Sequence, residues 1–289
     1  VYVVVRVCYC LIVLLSVRAV VVCINLYCSI IVCWVVGLIA DKCVIDKCGR
    51  SAARKGGETV ATNGCSVLGS RRGIETIFEF VDQSGDKHVL SAGNNKIFSG
   101  TSTLTDVTPS SYTPTANNWK VVNLNNHAYL FQRGHEPLIA TDESGSFTVE
   151  KISSPAHSTG TVPQANEALA AYGRLWVADV TGNKHTVYWS DTLNGHAWTG
   201  GTSGSLDVTT VFPTGFDEIT ALAAHNGFLI IFCKNSILVY SGASSPASMT
   251  LVDNVEGVGC IARYSVQNTG KALHFFTKER VRSYGPHIP

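Results

Sequence analysis

Ten cysteines and nine histidines are the residues of this 289-residue chain best suited to bind a metal or to act as nucleophile and base. Their spacing favours neither role. Cys23, Cys28 and Cys33 recur at five-residue steps, and Cys43 and Cys48 repeat that step. Zinc sites take short Cys-Cys pairs with about two to four residues between them, matched by a second pair or by histidines. Cys43 and Cys48 fall inside that range but have no partner pair nearby, and Cys8 and Cys10 stand too close together to be informative. With the other cysteines clustered in the first 65 residues and Cys233 and Cys260 isolated, the spacing supports no disulfide framework, and buried thiols are the expectation. The histidines (His88, His127, His135, His157, His185, His196, His225, His274 and His287) are scattered. His127 and His225 stand at similar places, just before the first strand of a hairpin, which suggests hydrogen bonding in turns. No nucleophile elbow, phosphate-binding loop, HExxH or GxGxxG occurs. The sequence therefore leads us to expect no catalytic, cofactor-binding or metal-binding residue and no cofactor.

The phrase closest to an enzyme motif is SDTLNGHAW, Ser190 to Trp198. It resembles the Asp-box of sialidase-type propellers, with Ser190, Asn194, Gly195 and Trp198 in similar order and Asn194 where the acid would stand. An Asp-box is a folding turn, so the phrase reads as a turn with a packed tryptophan. A sialidase also needs an arginine cluster, a tyrosine nucleophile and a paired acid. Arg133, Arg174, Arg263, Arg280 and Arg282 are present, but nothing in their spacing makes three of them converge. Asp179 and Asp191 are the acids a glycosidase reading would use.

The elements that would position any such group recur. KHVLSAGNNKIFSG (87–100), AYLFQRGHEPLIATDESG (128–145), RLWVADVTGNKHTVYWSD (174–191), FLIIFCKNSILVYSG (228–242) and LHFFTKERVRSYG (273–285) each read as a β-hairpin with a polar tip. A preceding strand begins near Thr76, Val121, Ala168, Ile219 and Tyr264, at separations of 45, 47, 51 and 45 residues. Fourth strands fit in SGSFTVEKI (144–152) and ASMTLVDN (247–254). A period of roughly 40–50 residues is that of a four-stranded propeller blade. The expected fold is therefore all-β, a β-propeller of about five recognisable blades over 74–289. The last blade lacks its closing strand. A β-sandwich is the competing architecture.

Residues 1–40 differ from the rest. Arg6 and Arg18 are their only charges, and Ala19 to Ala40 is a 22-residue run with Asn25 and Ser29 as its clearly polar members. A bilayer span needs about 20 apolar residues, so a membrane segment is one reading. Buried strands are a second, given the many β-branched residues. A sequence read in the wrong frame is the third. Residues 41–73 form a polar junction in which Arg50, Arg54 and Lys55 stand beside Gly56 and Gly57. Across the chain 22 Lys and Arg balance 21 Asp and Glu, for a net charge of +1. With no basic stripe, electrostatics give no support for dedicated nucleic-acid binding.

DKCGRSAARKGGETV (46–60) resembles the leading segment of podovirus tail nozzle proteins, the tail tubular protein B type. NNHAYLFQRGHEPLI, NGFLIIFCKNSILVYSG, GKALHFFTKERVRSYG and GRLWVADVTGNKHTVYWSD are similar to that family's blades. The resemblance spans roughly Asp41 to Gly285. It implies a virion structural protein, not an enzyme: a homohexameric ring in the phage tail that docks a tail adaptor protein and tail fibres. The lumen would touch genomic DNA transiently and non-specifically during ejection. The apolar first 40 residues depart from the polar N-terminus of that family. The alternative is a membrane-anchored β-propeller that binds glycans or hydrolyses them.

Overall fold

The computed structural model describes residues 43–45, 51–53 and 74–285, apart from 94, 102, 115–118, 144–145, 156–157 and 213–216. The readings of residues 1–40 lie outside the described residues. Among those described, no helix is long and apolar enough to cross a membrane.

The chain divides into two compact units, Val60–Arg263 and a second that joins Val1–Thr59 with Tyr264–Pro289. In the second unit β1 (Cys43–Ile45) pairs antiparallel with β2 (Ser51–Ala53), inside what reads in sequence as a turn-rich junction.

The larger unit holds four antiparallel four-stranded sheets. Sheet 1 is β3 (Ile74–Val81), β4 (Lys87–Gly93), β5 (Lys96–Ser99) and β6 (Thr105–Asp106). Sheet 2 is β7 (Lys120–Leu124), β8 (His127–Phe131), β9 (Leu138–Glu143) and β10 (Ser146–Lys151). Sheet 3 is β11 (Ala165–Ala171), β12 (Arg174–Val180), β13 (Thr186–Trp189) and β14 (Gly204–Asp207). Sheet 4 is β15 (Ile219–His225), β16 (Phe228–Cys233), β17 (Ser236–Ser241) and β18 (Thr250–Glu256). Each is a simple meander, with strands paired in chain order. The smaller unit holds a three-stranded meander, β19 (Gln267–Asn268), β20 (Leu273–Phe276) and β21 (Val281–Tyr284). All five predicted hairpins form, and the two fourth strands anticipated from sequence are β10 and β18.

In the larger unit, two of the four turns between first and second strands follow directly from residue type, and a third takes the same shape with Tyr172 in the left-handed region. Asn125-Asn126, Tyr172-Gly173 and Asn226-Gly227 each have two central residues, all at positive φ. That is the type I′ turn, whose twist matches the strands it joins and which favours Asn and Gly.

The sheets of the larger unit pack face to face. Along β8, Ala128 and Leu130 join a core with Phe80, Leu90 and Ile97 of sheet 1. Tyr129 and Phe131, on the opposite face of the same strand, pack with Ala168, Leu175 and Val177 of sheet 3. Along β12 the alternation repeats: Leu175 and Val177 turn to sheet 2, while Trp176 and Ala178 pack with Leu229, Ile231 and Leu238 of sheet 4. A sheet buried on both faces needs apolar residues at consecutive positions. This is why FLIIFC reads as an unbroken apolar run and LWVA forms one inside RLWVADV. The buried indoles keep their donors satisfied: Trp176 Nε1 donates to Ala171 O at 3.0 Å and Trp189 Nε1 to Thr202 O at 2.9 Å.

Gly227 offers a clean test of the turn chemistry. Its φ is +81° and a Cβ placed there would meet nothing within 4 Å, so any cost of substitution is backbone strain alone. Gly227→Ala is expected to lower stability by about 1–2 kcal/mol, and Gly227→Asn by clearly less. Urea unfolding of the three proteins measures both.

Candidate functional site

The residues that sequence reading singled out are distributed through the sheets, and most hold turns or neighbouring sheets together. The Ser190–Trp198 phrase closes on itself. Asp191 N–H donates to Ala197 O at 2.9 Å, Asn194 Oδ1 accepts the His196 N–H at 3.1 Å, and Trp198 Nε1 donates to Gly195 O at 2.9 Å. Gly195 is required sterically: a Cβ there would stand 2.5 Å from Tyr129 Cζ and 2.6 Å from Leu175 Cδ1. Asp191 Oδ1 accepts the Thr202 hydroxyl at 2.6 Å, the Thr202 N–H at 2.9 Å and the Thr192 N–H at 2.8 Å. Those bonds, the Thr202 hydroxyl first, hold its carboxyl below the usual range. The whole turn is stitched outward. Trp198 N–H donates to Thr159 O at 2.8 Å, and Asn125 Nδ2, in the β7–β8 turn, donates to Leu193 O at 3.0 Å.

Asp179 sits in β12 at a φ of +58°, unusual for a residue other than glycine. Its carboxylate is bonded by Arg133 of sheet 2 and accepts Asn166 Nδ2 at 2.9 Å. Arg174 is buried and donates to Ser190 O at 3.2 Å and to Thr202 Oγ1 at 2.7 Å. Arg263 lies near Glu167 and lowers that carboxyl's proton affinity. Arg133, Arg174 and Arg263 thus serve three different partners. Arg280 and Arg282 belong to the smaller unit.

His127 Nδ1 bonds the Asn125 carbonyl oxygen at 2.6 Å, within a turn. His225, its sequence counterpart, is buried, and its Nε2 has no hydrogen-bond partner among the described residues. Cys233 and Cys260 are both buried free thiols. Burial pushes the Cys233 thiol up to about 12, with Asp217 adding to the rise. A thiol held in that form is not a nucleophile at neutral pH.

Two groupings escape sequence reading. The first centres on Glu167 of β11, 1% exposed, whose Oε1 lies 3.0 Å from Lys120 Nζ of β7. The Leu222 N–H of β15 points at the same oxygen from 3.5 Å. Burial raises the carboxyl, opposed by Lys120 and Arg263. The second is Asp82, His88 and Asp142, whose potential ligand atoms lie within 4.8 Å of one another. No spacing rule joins residues so far apart in the chain; only the packing of sheet 1 on sheet 2 does.

No family model and no curated protein matches this chain. Among solved structures it is similar to the BBS1N chain in complex with ARL6DN, at 13% identity over 77% of this chain and 68% of that one, with a TM-score of 0.43. It is also similar to the computationally designed Ika8 protein, at 14% identity over 69% of this chain and 68% of that one, with a TM-score of 0.39. Likenesses at these scores carry no argument; the architecture rests on the sheets themselves.

Glu167 supplies a pH test. Lys120→Met leaves the buried carboxyl without its nearest cation, which is expected to cost on the order of 3 kcal/mol at neutral pH. The folded carboxyl binds its proton more tightly than the unfolded one. The folded state therefore loses stability as pH rises from the ordinary glutamate value toward the raised folded value. Lys120→Met widens that window. Its deficit against the parent chain should shrink on acidification from pH 7 to about pH 5, as read by thermal unfolding at each pH.

Proposed function

We propose that this chain is a structural subunit of a short phage tail, a nozzle-ring protein whose sheets are blades of a β-propeller. The observation that carries the reading is the succession of four-stranded meanders, each packed face to face on the next at near-constant chain spacing. Blades of a propeller are built in that way. The resemblance of 46–60 and of the hairpin phrases to the nozzle family adds the biological setting. The engagement of Asp179, Asp191, Arg133 and Arg174 in turns and sheet contacts favours a scaffold over a hydrolase.

The reading assigns surfaces. Sheet 1 turns Phe78 and Phe80 toward sheet 2, while Ile77 and Val81, on the other face of β3, are 69% and 41% exposed. Exposed apolar side chains of that kind, here flanking the Glu79–Lys87 ion pair, are what an adjoining blade covers. Subunits joined head to tail through unlike surfaces close into a ring, here a homohexamer, with an adaptor ring on one side and fibres outside. The stretch 101–118, which reads in sequence as a polar loop, carries β6 and buries Tyr112; its exposed Thr103, Thr105 and Ser111 are the candidates for subunit or fibre contacts. DNA passing through the lumen would be touched without sequence preference, in keeping with a net charge of only +1.

Electron microscopy of phage particles carrying this chain tests the proposal. The expected result is a hexameric ring of propellers at the distal end of the tail. A glycosidase activity of the purified chain that is abolished by Asp179→Asn or Asp191→Asn would overturn it in favour of the glycan-directed alternative.

A further inference from the structure

A short turn, Asp82 to Asp86, closes β3 onto β4 and brings Asp82 beside His88. Asp142, near the end of β9, reaches them from sheet 2. His88 Nε2 lies 3.1 Å from Asp82 Oδ2 and 3.2 Å from Asp142 Oδ2. The three side chains are largely withdrawn from solvent, at 2% exposure for Asp82, 11% for Asp142 and 19% for His88.

The surroundings hold these groups in place. The His88 ring stacks on Phe147 at a centroid distance of 4.6 Å and on Phe80 at 5.7 Å, which sets the plane of the imidazole. Asp82 Oδ1 accepts the Asp86 N–H at 2.9 Å, which orients that carboxylate. Burial would raise the Asp82 carboxyl, but bonds from His88 and the turn backbone outweigh it and bring it below the usual range. Asp142 Oδ1 is buried with no hydrogen-bond partner among the described residues.

A proton alone serves this arrangement poorly. Nε2 carries at most one hydrogen, yet two carboxylate oxygens face it at nearly equal distance. Two carboxylates share one imidazole, which can offset at most one of their charges. Among the described residues neither aspartate has a lysine or arginine within ion-pair distance. A dication answers both points. Zn–N and Zn–O bonds of about 2.0–2.1 Å set the neighbouring ligands of a tetrahedron roughly 3.3 Å apart, close to the two spacings found here. One nitrogen and two oxygens suit a first-row divalent ion, with Zn2+ bound more tightly than Mn2+ or Fe2+.

We propose that Asp82, His88 and Asp142 bind one divalent transition-metal ion of the Zn2+ class, with solvent completing the coordination. Two ligands come from sheet 1 and one from sheet 2, so the ion ties the sheets together. Its binding is then coupled to the folded arrangement of both sheets and stabilises it.

The test uses the full chain, freed of metal by chelation and dialysis. It is titrated with Zn2+ by calorimetry and with Co2+ by visible absorption, beside His88→Gln and Asp142→Asn. The parent chain should bind one equivalent and unfold at a higher temperature with Zn2+ present. Each variant should bind at least ~10-fold more weakly and lose most of that thermal shift. Asp142→Asn keeps the side chain's shape, and circular dichroism confirms that it folds. The Co2+ spectrum should lack thiolate charge-transfer bands. No saturable binding by the parent chain overturns the proposal, as does equal binding by parent and variants. A thiolate spectrum also overturns it, assigning the ion to the cysteines.

Discussion

One buried carboxylate ties three sheets together. Glu167 projects from the first strand of sheet 3 and is engaged by Lys120 from the first strand of sheet 2 and by the Leu222 backbone from the first strand of sheet 4. A charge withdrawn from water costs several kcal/mol unless it is paired and bonded. The three strands must therefore lie where they do for Glu167 to be tolerated. A purely apolar contact would permit sliding between sheets; a shared carboxylate does not, because each displacement removes one of its partners. The polar tie thus fixes the relative placement of sheets whose attraction comes from their faces.

Those faces supply the bulk of the stabilisation. Strands β8 and β12 bury alternate residues on opposite sides, so sheets 2 and 3 each serve two cores. Polar links then pin the margins of adjoining sheets: Asn123 Nδ2 to Glu79 O at 3.3 Å, Arg133 to Asp179, and Glu218 between Lys184 at 3.2 Å and Lys234 at 2.6 Å. The exposed members of this set contribute little each. Their value is directional: Asn123 to Glu79, Arg133 to Asp179 and Lys184 to Glu218 each join one sheet to the next in chain order, while Lys234 holds Glu218 from within sheet 4. Arg133 and Asp179, two side chains with catalytic potential, are engaged in this way.

Much of the fold is legible in the sequence because its signals are local. Asn226-Gly227 and Asn125-Asn126 specify type I′ turns by residue type alone. FLIIFC, apolar at six consecutive positions, can only be a strand covered on both faces or part of a buried helix. The Gly/Asn punctuation on either side decides for the strand. The sites are less legible, because they are made by contacts between sheets. In ANEALAA, Glu167 reads as a solvent-facing charge; its burial depends on Lys120, 47 positions earlier. Asp82 and His88 lie in one hairpin, but Asp142 joins them only through the packing of Phe80 and Phe147 beneath the histidine. Aspartate tolerates a left-handed backbone better than most residues, but the apolar strand pattern around Asp179 in RLWVADV masks that signal.

The central claim is that Glu167 couples three sheets, and hydrogen exchange resolved along the chain tests it most directly. With Glu167→Ala, amide protection should fall together in β7, β11 and β15, in sheets 2 and 4 as much as in sheet 3. Loss of protection confined to β11 and its own sheet, with β7 and β15 unchanged, would contradict the account.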